Sequence, residues 1–282
     1  MYTVDRPQGH TKEFVDCLAA AVRHLDGLLS EVGVNVQDLP PVGDPGFAEA
    51  AARKRGIRYS WIKFVPRFGP CLDHLSFILG NQAFFVRMED ADGRVEFPGD
   101  RKGLERVADG WLGYSCIMPM RRVKDASGAT DDAEEDWRPV LPDWGLVGPS
   151  TGIAVRPPAL LVNDPVPATD WELHDFAVNI VGEHLMQMRQ KVVAWNTDPA
   201  TNPSIWFEGG GQPSWVIVRA YRAPAKSAER PSPDLVWRIR KETPVKAKGY
   251  FTEVGFESMD GGQPLRGEPY NVDFAERLIP LD

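Results

Sequence analysis

The chain has 282 residues, 43% of them hydrophobic and 26% charged, with a formal net charge of −8 and a pI near 5.3. That composition is ordinary for a globular protein, excludes fibrous and disordered classes, and at this length suits two domains better than one. An acidic chain must gather a locally basic face to neutralise phosphates, so the charge speaks weakly against a nucleic-acid partner without forbidding it. No apolar run reaches the roughly eighteen residues that a spanning helix needs, and Met1 to His10 lack the apolar region of a signal peptide. The expectation is a cytoplasmic protein without a membrane partner. Cys17, Cys71 and Cys116 show no metal-ligand spacing and read as small core residues in a reducing compartment.

In chain order, the first element is a helix from about Thr11 to Val32. Its apolar residues Phe14, Leu18, Val22, Leu25, Leu29 and Val32 recur at three- and four-residue spacing, and Gly33 stops it. A proline-rich turn from Leu39 to Pro45 leads to a short alanine-rich helix at Phe47 to Arg55. Ile57 to Trp61 alternates as a strand, followed by a hairpin of Leu75 to Leu79 and Gln82 to Glu89 around Gly80-Asn81. Asp90 to Gly93 is turn chemistry, Arg101 to Leu112 a helix, and Tyr114 to Met120 a strand. An acidic loop, Asp125 to Asp136, then precedes a stretch with prolines every few residues.

Thr169 and Glu172 stand at capping-box spacing and open a long helix expected to bury Leu173, Phe176, Ile180, Leu185 and Met188. Val192 to Trp195 reads as a strand. Ser204 to Phe207 and Trp215 to Tyr221 read as a hairpin around Gly209-Gly210-Gly211. A basic helix near Asp234 to Lys241, a strand at Tyr250 to Phe256 and a last strand at Tyr270 to Phe274 complete the order. The expected organisation is an α/β protein of mixed α+β content: an N-terminal half at 1–137, a proline-rich linker at 138–169 and a C-terminal half at 170–282. Both halves run helix, strand, two-strand hairpin, helix, strand (αβββαβ), which suggests an internal duplication. Ser76-Phe77 and Phe85-Val86-Arg87 stand where Ser204-Ile205 and Ile217-Val218-Arg219 stand in the second half, and Gly113-Tyr114 parallels Gly249-Tyr250.

This element order, with Pro203-Ser204-Ile205 on the second strand and Ile217-Val218-Arg219 on the third, resembles the core of the PD-(D/E)XK, or restriction-endonuclease-like, superfamily. The resemblance implies a helix glutamate, for which Glu183 is placed, and a Pro-Asp start to the second strand. It also implies an acid–spacer–lysine triplet on the third strand, with magnesium held by the acids. Here the aspartate is Ser204, the acid is Ile217 and the lysine is Arg219. In the first half Leu75-Ser76-Phe77 and Phe85-Val86-Arg87 depart as far. Serine and isoleucine cannot ligate magnesium as two carboxylates do, so the implied site is degenerate in both halves.

The residues give a binding or regulatory protein without catalysis as the first reading, with Arg87 and Arg219 as ligand-binding side chains, because a guanidinium fork suits phosphate or carboxylate. The alternative is a divalent-metal-dependent nuclease, with magnesium as its cofactor, and a relocated acidic site at Glu183, Asp198 and Glu208. Set against it, Asp198 and Glu208 read as turn acids. No cofactor is expected outside that alternative. A third reading is an interaction subunit whose acidic surface meets a basic protein partner, and the tryptophan-bearing strands make a homodimer plausible. Glu89, Asp90 and Asp92 read as a solvated turn rather than a calcium loop. His174 and His184 lie about 80° apart around one helix, too oblique for a two-histidine metal grip, and His74 has no assignable nucleophile partner. Arg53-Lys54-Arg55 and Arg238-Ile239-Arg240-Lys241 read as solvated basic helix faces.

Overall fold

The structure is a computed structural model that describes residues 11–35, 38, 57–63, 74–124, 135–243 and 246–281. Helices and strands mix in two units, Gln8–Val166 and one that holds Pro167–Asp282. The expected helix at 47–55, the basic triplet 53–55, Cys71 and most of the acidic loop fall outside the described residues.

In the N-terminal unit α1 (Lys12–Val32) starts because the Thr11 hydroxyl accepts the Phe14 backbone N–H at 3.2 Å, which satisfies a donor with no partner inside the helix. Its apolar stripe buries Phe14, Cys17, Leu18, Ala21, Leu25 and Leu29. The stripe shares one core with Leu75 and Phe77 of β3 (Leu75–Leu79), Phe84 and Val86 of β4 (Gln82–Asp90), and Met118 of β5 (Tyr114–Lys124). The sheet order is β1-β2-β3-β4-β5-β7-β8, with β6 also on β5; here β1 is Val34–Asn35, β2 Arg58–Lys63, β6 Glu135–Pro139, β7 Leu146–Val147 and β8 Ala154–Val155. Strands β2, β3 and β4 form an antiparallel meander. Then α2 (Arg101–Gly110) crosses over, and β5 returns parallel to β4.

In the C-terminal unit α3 (Asp170–Gln187) begins at the expected capping box, with Thr169 and Glu172 each satisfying the other's backbone N–H. Strands β9 (Lys191–Trp195), β10 (Ile205–Gly209) and β11 (Gln212–Arg222) again form an antiparallel meander. Helix α4 (Pro233–Glu242) crosses over, and β12 (Lys248–Ser258) lies parallel to β11. Strands β13 (Tyr270–Asp273) and β14 (Ile279–Leu281) pair antiparallel with β12. Helix α4 buries Val236 and Ile239 against Trp215, Ile217 and Phe251.

The parallel strand pairs of the two units share a register. Phe84 faces Tyr114 and Arg87 faces Ile117, just as Val216 faces Tyr250 and Arg219 faces Glu253. In both, the residue before the tyrosine is a glycine with no room for a side chain. A Cβ on Gly113 would meet the Ala83 carbonyl at 2.7 Å, and one on Gly249 would meet the Trp215 ring at 2.4 Å. The Trp215 ring is wholly buried and held by Ile217, Val236, Ile239 and Phe251, so it has nowhere to retreat. Gly249→Ala is therefore expected to destabilise the C-terminal unit by about 2 kcal/mol, read as a lower urea midpoint at unchanged slope.

Three expectations change. Residues 138–166 are not a linker: the end of β6, β7, β8 and a 3-10 turn at Pro157–Leu160 belong to the first unit, with β6 and β7 paired to β5. The proline-rich composition hid them because strands of two residues carry no periodicity. Glu135 and Asp136, expected in a loop, open β6. Helix α3 also faces its sheet differently. Leu173 and Leu185 are buried, but Phe176 and Ile180 are half-buried and Met188 lies past the helix end, 52% exposed. The buried face is instead Ala177, Val178 and Val181 beside Glu172, His174 and Asp175. Small residues face the sheet because helix and strand approach closely there: a Cβ on Gly182 would come within 2.3 Å of the Trp195 ring.

Candidate functional site

The two arginines singled out by the sequence stand at equivalent register positions in different electrostatic settings. Arg87 has a carboxylate two residues along its own strand: its Nε lies 3.9 Å from Glu89 Oε1, and its Nη2 donates to the Phe97 carbonyl at 3.3 Å. Glu89 also takes both arms of Arg101, at 2.9 and 2.6 Å. The Arg101 hydrogen bonds hold the Glu89 carboxyl below the ordinary carboxylate range. Arg87 thus has a carboxylate within ion-pair reach, one that it shares with Arg101.

Two residues beyond Arg219 stands Tyr221, whose hydroxyl donates to Asp273 at 2.7 Å. The Arg219 guanidinium donates to the Val218 carbonyl at 3.0 Å and to Asn202 Oδ1 at 2.9 Å, both neutral acceptors. Burial lowers its pKa, and Glu229 is the charge that opposes this. Its partner across the parallel pair, Glu253, is committed elsewhere, accepting the Ala228 N–H at 2.7 Å and so tying down the loop between β11 and α4.

That loop closes one side of a cleft of about 610 Å³ at the carboxyl end of β11. Such crevices beside the carboxyl ends of parallel strands are the habitual ligand positions in α/β sheets. Arg219, Arg222 and Arg230 line it, against the acids Asp170 and Glu229. Arg222 forms an ion pair with Asp170, and Arg230 is exposed. The first turns of α3 and α4 reach the same cleft through Asp170 and Ser232, so two helix dipoles present their positive ends there. The local balance is cationic in a chain that is acidic overall.

Behind Arg219, His174 on α3 is 3% exposed and its Nε2 has no hydrogen-bond partner among the described residues. Burial pushes its pKa down to about 4, with Arg219 acting in the same direction and Asp175 and Asp198 opposing. It is a neutral imidazole at physiological pH. Composition gave no sign of this; His174 read only as a helix residue unsuited to metal binding.

The carboxylates of the nuclease alternative do not come together. Glu208 pairs with Lys191 at 3.2 Å, at the far end of β10 from the loop that holds Asp198. Ile205 to Glu208 alone spans about 10 Å of strand. Asp198 caps its own turn, accepting the Ala200 N–H at 2.9 Å, and Glu183 is exposed on α3. Among the described residues no group of three or more His, Cys, Asp or Glu side chains is placed to hold a metal ion. In the N-terminal unit Asp90 turns inward on its own loop. Burial pushes its carboxyl up, but hydrogen bonds from the Asp92, Val95 and Arg94 amides outweigh this and hold it low. Burial pushes the Cys17 and Cys116 thiols up to about 12, so neither is a thiolate nucleophile at neutral pH. No helix among the described residues is long and apolar enough to cross a membrane.

Residues 171–279 match a family model described as a domain of unknown function (DUF8840), a stretch that lies inside the C-terminal unit. No curated protein and no solved structure matches the chain.

Proposed function

We propose that the chain is a binding protein without catalysis of its own, whose C-terminal unit holds a phosphate or carboxylate group of its ligand at Arg219. The observation that carries this reading is the contrast between the paired arginines. Arg87 has the Glu89 carboxylate within 3.9 Å, shared with Arg101, whereas Arg219 sits half-buried in a cleft with only neutral hydrogen-bond acceptors. A guanidinium whose solvation has been removed without a carboxylate in its place gains most from an incoming anion. Arg222, Arg230 and the two helix N-termini add to the same field. The degenerate nuclease-like scaffold and the internal duplication are part of the proposal. Support for them comes from the three-strand meander, crossover helix and parallel strand that both units share, the common strand register and the serine, isoleucine and arginine standing where metal-site residues would be.

Arg219→Gln keeps hydrogen-bonding capacity and removes the charge. It is expected to weaken pyrophosphate binding at least ten-fold by calorimetry, the equivalent of about 1.4 kcal/mol, while Arg87→Gln leaves the affinity unchanged. Equal affinity in wild type and Arg219→Gln would sink the reading. Incubation with duplex DNA, single-stranded DNA and RNA in magnesium or manganese, beside Asp198→Ala, tests the rival: cleavage that disappears in the variant would establish a relocated nuclease site.

A further inference from the structure

A second cleft of about 610 Å³ opens at the opposite, amino-terminal end of the β11–β12 pair. We infer that it is a separate binding site for a small organic oxyanion, a phosphate or carboxylate carried on an apolar body, held by Arg240, Lys246 and Lys248 beside the buried Trp215 ring. Trp215 is wholly buried, lines this cleft, and its Nε1–H has no acceptor among the described residues. The Nε1 atom has no exposed surface, so the indole N–H reports on an anion seated against this wall and does not grasp it. The same wall carries Arg240, Lys246 and Lys248, and none of the described lining residues is acidic.

Arg240 uses one of its five donors on the Leu281 carbonyl, and the two lysines are exposed with no carboxylate partner among the described residues. The carboxyl end of α4 points the other way electrostatically, with about half a negative charge, and three full cations outweigh it. Tyr250, Pro280 and Leu281 supply the apolar wall that an unsubstituted inorganic ion would not need. The volume falls within the few hundred to about 1,000 Å³ usual for small-molecule sites. Gly249 is what gives this arrangement room, because a side chain there would press on the Trp215 ring. This site shares no lining residue with the Arg219 cleft.

The test follows the Trp215 indole N–H by proton–nitrogen NMR, assigned by its loss in Trp215→Phe. Inorganic phosphate, phenyl phosphate and benzoate are titrated at ionic strength matched with potassium chloride. The expected result is a saturable shift of that one signal with phenyl phosphate or benzoate, and with inorganic phosphate only at higher concentration. Which of the two aryl probes acts separates a phosphate from a carboxylate ligand. Lys246→Glu combined with Lys248→Glu should weaken the binding at least ten-fold, and Arg219→Gln should leave it unchanged. Both lysines are exposed, so the double variant is expected to fold. Calorimetry on it carries the test even if Trp215→Phe does not fold. An indole signal that none of the three probes moves, or that chloride moves equally, overturns the inference. So does unaltered affinity in the double lysine variant, and loss of binding in Arg219→Gln would assign the anion to the other cleft instead.

Discussion

Replacing Arg266 with methionine is expected to lower the stability of the C-terminal unit by about 3–5 kcal/mol, a large share of the roughly 5–15 kcal/mol that holds a typical domain folded. Arg266 Nε donates to Glu172 Oε2 at 2.9 Å, and neither side chain has any exposed surface. The same Glu172 oxygen accepts the Thr169 N–H at 3.4 Å, so this carboxylate both starts α3 and holds the β12–β13 connection. Burial pushes the Glu172 carboxyl upward, and the guanidinium is the main force opposing it. With Arg266 gone, Glu172 must take up a proton or draw water into the core. Removing both charges leaves no orphan, so Glu172→Leu with Arg266→Met should recover most of the loss, short of the capping-box contribution of about 1 kcal/mol. Urea denaturation of the two single variants and the double variant gives the coupling directly. A single variant as stable as wild type would show that the pair is not the buried clasp described here.

Acid destabilisation governed by His174 is the second large effect. The unfolded imidazole titrates near 6.5, whereas burial holds the folded one near 4. Between those values the unfolded chain binds a proton that the folded chain refuses, so stability falls as the pH drops through 6.5 and the loss levels off below about 4. The shift corresponds to about 3 kcal/mol lost on going from pH 7.5 to pH 4, with a limiting slope near 1.4 kcal/mol per pH unit. His174→Leu should remove this segment of the stability-versus-pH curve while carboxylate titration at lower pH persists. If wild type and His174→Leu run parallel between pH 6.5 and 4.5, the imidazole is not held neutral by the fold. Arg219 sits on the unfavourable side of this balance and Asp175 and Asp198 on the favourable side. An anion bound at Arg219 should therefore raise the pKa of His174 and flatten the acid limb.

Much of the secondary structure was legible from local rules. The α1 stripe, the Gly80-Asn81 hairpin, the Thr169–Glu172 capping box and the second meander all follow from spacing or turn chemistry within a few residues. So did the parallel between Arg87 and Arg219, because each lies a fixed number of residues into a strand that the hairpin defines. The limits are equally specific. Strands β7 and β8 have two residues each and exist only because β5 offers an edge to β7 and β7 one to β8; β14 forms because β12 has one. The buried face of α3 differs from the expected Leu173, Phe176, Ile180, Leu185 and Met188 because the close approach at Gly182 selects small residues.

The sequence by itself determined where helices begin, which strands are joined by tight turns, and that no set of metal ligands or nucleophile triad stands at recognisable spacing. These depend on hydrogen bonds and periodicities that close within one or two turns of chain. Only the tertiary structure decided which charges are compensated. Whether Arg219 meets a carboxylate, whether Glu172 finds Arg266 94 residues away, and whether the Trp215 indole finds an acceptor are outcomes of long-range packing. Their energies rest on desolvation, which depends on what the rest of the fold places around each group.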